Sequence, residues 1–124
     1  MLGQQALTHD ILASAIEVHR NLGPGLLESV YEDCFCWELA ERGLRHRRQV
    51  SLALNYKRKS IEDGYRIDVI VDEAVIVEHK VVECLLPIHS AQLRTYLRLS
   101  GYRIGLLINW NVCRLMDGVI RQVV

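Results

Sequence analysis

Two apolar runs stand almost back to back, YRIDVIV over residues 65–71 and VIVEHKVV over residues 75–82, separated only by Asp72, Glu73 and Ala74. Val and Ile occupy consecutive positions in both, so neither run has a polar face, which is the pattern of strands buried on two sides. With so short a connection they must pair as a hairpin. A chain built around such a hairpin has to cover a sheet from above and below, and the remaining segments have to supply both covers.

The segment before the hairpin supplies helices. Ile11, Leu12, Ala15, Ile16, His19 and Leu22 recur at helical spacing, with Thr8 as candidate cap and Gly23-Pro24 as the stop. His19 lies on the apolar stripe and reads as a packed residue. Residues 26–42 form a second helical pattern carrying Leu27, Val30, Tyr31, Cys34 and Trp37, ending before Gly43. From Gln49 to Tyr56 the period changes to two, as in a strand with one buried face. After the hairpin, Ala91, Gln92, Thr95, Tyr96 and Leu99 mark a third helix that stops at Gly101, and YRIGLLINW is one more buried strand. Asp117-Gly118 signals a last turn, and the tail beyond it is left without a form. The order is helix, helix, three strands, helix, strand. It predicts an α/β fold, a mixed sheet flanked by helices, in one domain spanning residues 1–124.

Composition narrows the function classes. Half of the 124 residues are hydrophobic, enough for a sizeable core. No apolar run approaches the roughly 20 residues of a membrane span and no cleavable leader is visible, so a cytoplasmic protein with no membrane partner is expected. The four cysteines are expected to be reduced and small core residues, because Cys34 and Cys36 sit about 200° apart on a helix and cannot chelate one ion together. Fifteen basic residues balance fifteen acidic ones, which argues against a broadly basic nucleic-acid surface. Two local clusters remain, Arg42, Arg45, His46, Arg47 and Arg48, and Lys57, Arg58 and Lys59. A strand separates them by roughly 25 Å.

Three ionisable residues interrupt the hairpin. Glu78 and Lys80 are two apart on a strand and share a face, with His79 opposite. A three-residue loop at Asp72-Glu73-Ala74 would pair residue 71 with 75 and hence 68 with 78, adding Asp68 to that face. A two-residue loop would scatter the three. Two carboxylates and one ammonium leave a buried net charge of minus one, which costs several kcal/mol, roughly, unless a cation completes it. Oxygen ligands with room for water suit Mg²⁺ or Mn²⁺. Glu28, in the first turn of the second helix, is a candidate further acid. Gln92, four residues from Tyr96 on one helix face, is a candidate neutral group of the same cleft.

These residues fall in blocks that resemble a known family. GLLESVY, Gly25 to Tyr31, is similar to the Gly-x-x-Glu-x-x-Tyr signature of the GxxExxY family, and YRIDVIV, IVEHK and AQLRTYL resemble its later blocks in order. The likeness runs from about residue 8 to the end, with His79 in a slot where an apolar residue is usual. That family is grouped with the PD-(D/E)xK nuclease-like superfamily, which implies a restriction-endonuclease-like core. It also implies roles: Asp68 and Glu78 as metal-binding acids, Lys80 as the lysine of the catalytic strand, Glu28 as the acid of the early helix, and Gln92 as the glutamine of the later helix. The backbone carbonyl of His79 would complete the metal ligands. The implied activity is hydrolysis of phosphodiester bonds in nucleic acid, dependent on Mg²⁺ or Mn²⁺, with DNA favoured over RNA; apart from the resemblance, the lack of a separate recognition domain leaves room for a homodimer that would supply the missing footprint. Two other readings stay open: an inactive module of the same fold that binds nucleic acid or a protein, and metal-dependent chemistry on a small phosphorylated molecule.

Overall fold

The computed structural model describes residues 3–124. Its elements are α1 (Gln4–Leu22), α2 (Glu28–Glu41), β1 (His46–Tyr56), β2 (Lys59–Val71), β3 (Val75–Lys80), α3 (Pro87–Ser100), β4 (Ile104–Asn109), a short 3-10 helix (Leu115–Gly118) and β5 (Val119–Val123). The strands form one sheet in the order β1-β2-β3-β4-β5. β3 and β4 are parallel, joined by a crossover through α3, and the other neighbours are antiparallel. The fold is thus α/β with a mixed sheet, in the element order that the sequence predicts. Among the described residues no helix is long and apolar enough to cross a membrane.

Alternation along the strands divides the core. Val69, Val71, Val75, Val77, Ile104, Leu106 and Ile108 pack under α1 and α2 against Leu7, Ile11, Tyr31, Phe35 and Leu39. Ile67, Ile70, Ile76 and Leu107 pack against Leu93 and Leu97 of α3 on the other side. Burying each such aliphatic side chain contributes about 1.5–3 kcal/mol. α3 lies close to the sheet because Gly105 leaves room for Leu93, and a Cβ there would come within 2.7 Å of the Leu93 Cδ1.

Several boundaries differ from expectation. α1 begins at Gln4 with Gly3 as its N-cap, so Thr8 is not a cap; it is buried inside the helix, beside Leu7 where the apolar stripe already starts. β1 ends at Tyr56 as expected but starts at His46, where residues 46–48 pair with Val71, Ile70 and Val69; β2 starts six residues before its apolar pattern, because ahead of Tyr65 it pairs only with β1 as a ribbon, and residues 55–64 are all exposed. Nothing in such a segment needs apolar alternation. The tail becomes β5, an edge strand against β4. The cysteine expectation holds for buried Cys36 and half-buried Cys34, whereas Cys84 and Cys113 are exposed in loops.

Candidate active site

The hairpin closes through a three-residue loop: Val71 pairs with Val75, Ile70 with Ile76 and Val69 with Val77. Asp72 and Glu73 take left-handed conformations in that loop, at φ 53° and 50°. The ladder stops at Val69 and Val77, so Asp68 and Glu78 meet where the two strands part. The loosened backbone is capped by a side chain: the His79 N–H donates to Asp68 Oδ2 at 2.8 Å.

On the outer side of β2 the pleat turns over at the same point. Val69 faces α1 and α2, whereas Ile67, two residues away, packs with the α3 cluster. In β1, Arg48 reaches α2 while Val50 joins the α3 cluster. Gln49 lies between them at φ 50°, and the β1–β2 pairing omits Gln49 and Asp68 while keeping its neighbours in register. This reversal takes Asp68 out of strict alternation.

Glu78 is buried, at 6% exposure, and its Oε1 has no hydrogen-bond partner. Burial pushes its carboxyl up to about 10, and the Asp68 charge and a hydrogen bond shared between the two carboxyls add to the shift; the Asp68 backbone N–H and Lys80 oppose it. A buried and a half-buried acid thus stand together, and one oxygen of the buried one is left without a donor. That is a poor structural arrangement and a good seat for an oxygen-seeking cation. Among the described residues no three His, Cys, Asp or Glu side chains are grouped so as to hold an ion by themselves. A pair of carboxylates is nevertheless compatible with Mg²⁺, which keeps several waters and takes one or two carboxylates from the protein. The residues present fit such an ion.

The other expected residues surround this pair. Glu28 begins α2, exposed at the mouth; burial, then the charge of Asp68, raises its carboxyl above the usual range, Lys80 opposes this, and Glu32 adds to it. Lys80 ends β3, half-buried. Gln92 is exposed on α3 and donates from Nε2 to the Tyr96 hydroxyl at 3.1 Å. Burial raises the Tyr96 phenol, the Glu78 and Asp68 carboxyls add to the rise, and the hydrogen bond from Gln92 opposes it. The hollow between α1 and α2 lined by Val18, Leu22, Cys34 and Trp37 includes none of these residues.

His79 faces the helices, as its place between Glu78 and Lys80 requires. Its ring is buried, and Nδ1 accepts from Trp110 Nε1 at 3.0 Å, so the imidazole is neutral and carries its proton on Nε2. Burial holds its pKa down to about 4. Trp110 in turn stacks on Tyr31 at 4.9 Å between centroids, and the Tyr31 hydroxyl donates to the Gly23 carbonyl and accepts from the Leu26 N–H. Trp110→Phe is expected to cost about 1–3 kcal/mol by leaving Nδ1 without a donor. The His79→Leu/Trp110→Phe double variant recovers much of that loss, since neither partner then remains polar. Urea unfolding of the three proteins checks this.

Residues that sequence reasoning did not single out complete the surroundings. Glu32, one helical turn after Glu28, is buried and accepts from Arg48 Nε and Nη2 at 3.1 and 3.0 Å and from Gln49 Nε2 at 2.9 Å. The i, i+4 spacing from Glu28 was the available signal. The first basic cluster is largely tied up within the protein: Arg42 pairs with Glu38, Arg45 with Asp72, Arg47 with Glu73, and Arg48 with Glu32 and Asp33.

The model of one protein family, described as the PD-(D/E)XK nuclease superfamily, matches residues 5–122. No curated protein and no solved structure matches the chain.

Proposed function

The chain belongs to the PD-(D/E)XK nuclease superfamily, and on that premise we propose that it is a metal-dependent phosphodiesterase of restriction-endonuclease-like fold acting on nucleic acid. The run Gly25 to Tyr31 supports assignment to the GxxExxY group. The observation that carries the reading is the half-buried Asp68 beside the buried Glu78, whose Oε1 is unpartnered. Asp68 and Glu78 would hold Mg²⁺ or Mn²⁺, with the His79 backbone carbonyl and Glu28 as further oxygen donors. When bound, such an ion lowers the pKa of a coordinated water and neutralises charge on the phosphate. Lys80 Nζ would orient the attacking water or take its proton as the new P–O bond forms, while the ester P–O bond breaks and its oxygen leaves as a hydroxyl after taking a proton from solvent. Glu28 and Gln92, at the mouth, position water and substrate.

The β1–β2 ribbon supports a nucleic-acid substrate. It leaves the sheet just past Asp68 and carries Lys57, Arg58 and Lys59 at its turn, none of them in an ion pair among the described residues. A two-stranded ribbon fits the major groove of a duplex. Changing all three to serine is expected to weaken binding to duplex DNA evenly across sequences and to reduce the salt dependence of log K by about 2–3. Titrations at several salt concentrations with the Glu78→Gln protein, in which cutting is disabled, measure this. The function itself is tested by incubating purified protein with Mg²⁺ or Mn²⁺ on single-stranded, duplex and branched DNA and on RNA. Metal-dependent cutting of at least one supports the reading, and no cutting of any substrate rejects it.

A further inference from the structure

We infer that Gln49, anchored by Glu32 and Arg48, is a positioning residue that fixes the carboxylate of Asp68 for cation binding. The inference rests on the reading of Asp68 as a metal-binding acid and adds residues that this reading does not include. Three observations carry it. First, Gln49 holds φ 50° in the middle of a strand, a conformation that side chains other than Gly, Asn and Asp rarely adopt, and such outliers persist only where the surroundings hold them. Second, Gln49 is exposed on β1, yet its side-chain amide lies over the two acids, with Nε2 2.9 Å from Glu32 Oε1 and 3.5 Å from Asp68 Oδ1. The same amide nitrogen thus reaches both acids, closely at Glu32 and more loosely at Asp68. Third, Glu32 is 6% exposed, and the Arg48 Nε and Nη2 both donate to its Oε2.

Glu32 could be mistaken for a metal ligand, since it lies one turn from Glu28 on α2. Its oxygens are instead filled by Arg48 and Gln49, which makes it an anchor. The two oxygens of Asp68 are then oriented separately: Oδ2 by the His79 N–H at 2.8 Å, and Oδ1 by the Gln49 amide at the longer distance of 3.5 Å. The looser contact aims Oδ1 while leaving lone pairs for an ion. Partners that orient ligating carboxylates in this way are worth about 10–100-fold in metal affinity or activity.

A mere clamp between α2 and β1 would have the same hydrogen bonds, so the test must separate positioning from stability. Gln49→Gly removes the amide and tolerates the left-handed backbone without strain, which favours a folded variant. Mn²⁺ binding without substrate, followed by calorimetry and by the electron paramagnetic resonance signal of free Mn²⁺, is expected to weaken about 10-fold or more. In cleavage assays kcat falls by a similar factor while KM for nucleic acid is unchanged. Arg48→Lys, which keeps the charge but loses the fork, is expected to lower Mn²⁺ affinity in the same direction by a smaller factor. A Gln49→Gly protein that binds Mn²⁺ as the wild type does, whatever its thermal midpoint, overturns the inference, as does a wild type that binds no Mn²⁺. Wild-type protein that binds Mn²⁺ but cuts no nucleic acid rejects the nuclease reading alone, because the binding comparison still reports on Gln49.

Discussion

Asp68→Asn, Glu78→Gln and Lys80→Ala are each expected to reduce metal-dependent cleavage by about 10²–10³-fold or more, the largest effects anticipated for single substitutions in this chain. The first two keep side-chain shape and remove charge. In Asp68→Asn the amide oxygen can still accept from the His79 N–H, which Asp68 Oδ2 accepts in the wild type, so the parted strands stay capped. Glu78→Gln replaces a buried carboxyl that the fold keeps protonated by an amide of the same shape that cannot ionise, and the variant should fold at least as well as the wild type. Lys80→Ala removes a half-buried side chain at the end of β3 and leaves the backbone carbonyl that accepts from the Trp110 N–H. Single-turnover rates, with circular dichroism to verify folding, measure the losses. Undiminished cutting by all three proteins would trace the activity to a contaminant and remove the case for this site.

The second large effect concerns pH and metal together. Burial pushes the Glu78 carboxyl up to about 10, against 4.5 for an ordinary glutamate, so between these values the folded chain holds a proton that the unfolded chain releases. Its contribution to stability is full below the unfolded value and is lost as pH rises through the interval between the two, at up to about 1.4 kcal/mol per pH unit for one whole proton. Mg²⁺ or Mn²⁺ binding displaces that proton, and its apparent affinity therefore rises up to about tenfold per pH unit over the same interval. The thermal midpoint gained on adding the ion should be much larger at pH 8.5 than at pH 6. In Glu78→Gln both the alkaline destabilisation and the metal gain should be small. Differential scanning calorimetry across this range gives the answer, and an ion that leaves the midpoint unmoved at every pH would contradict the assignment.

How far these features could be read in advance depends on whether their cause is local. The hairpin register followed from a three-residue loop and a period of two, both local, and it brought Asp68 opposite Glu78 as soon as Val71 was paired with Val75. Thr8 was misread as a cap because a hydroxyl near a helix start carries the same signal whether it caps the helix or is buried inside it; the stripe beginning at Leu7 decided the matter. β5 was missed because a five-residue edge strand needs a partner, not a pattern of its own. Glu32 and Gln49 looked like an ordinary helix charge and an outward polar residue of a half-exposed strand. Their meeting depends on the left-handed turn at Gln49, and no one-dimensional pattern marks such a turn. The bond between His79 and Trp110 joins residues 31 apart in sequence, so neither alone announces it.

The stack of Tyr31 on Trp110, extended by the hydrogen bond from Trp110 to the tilted His79 ring, forms a keel beneath the acids. One end moors the Gly23–Leu26 bend from which α2 and Glu28 start, and the other ends at the residue whose amide grips Asp68. Acids from a helix and from two ribbons of the sheet are thereby tied to a common rod of aromatic rings. The ribbon turn and Gln92 are exposed and make no contact with these rings, so the positions of the acids do not depend on them.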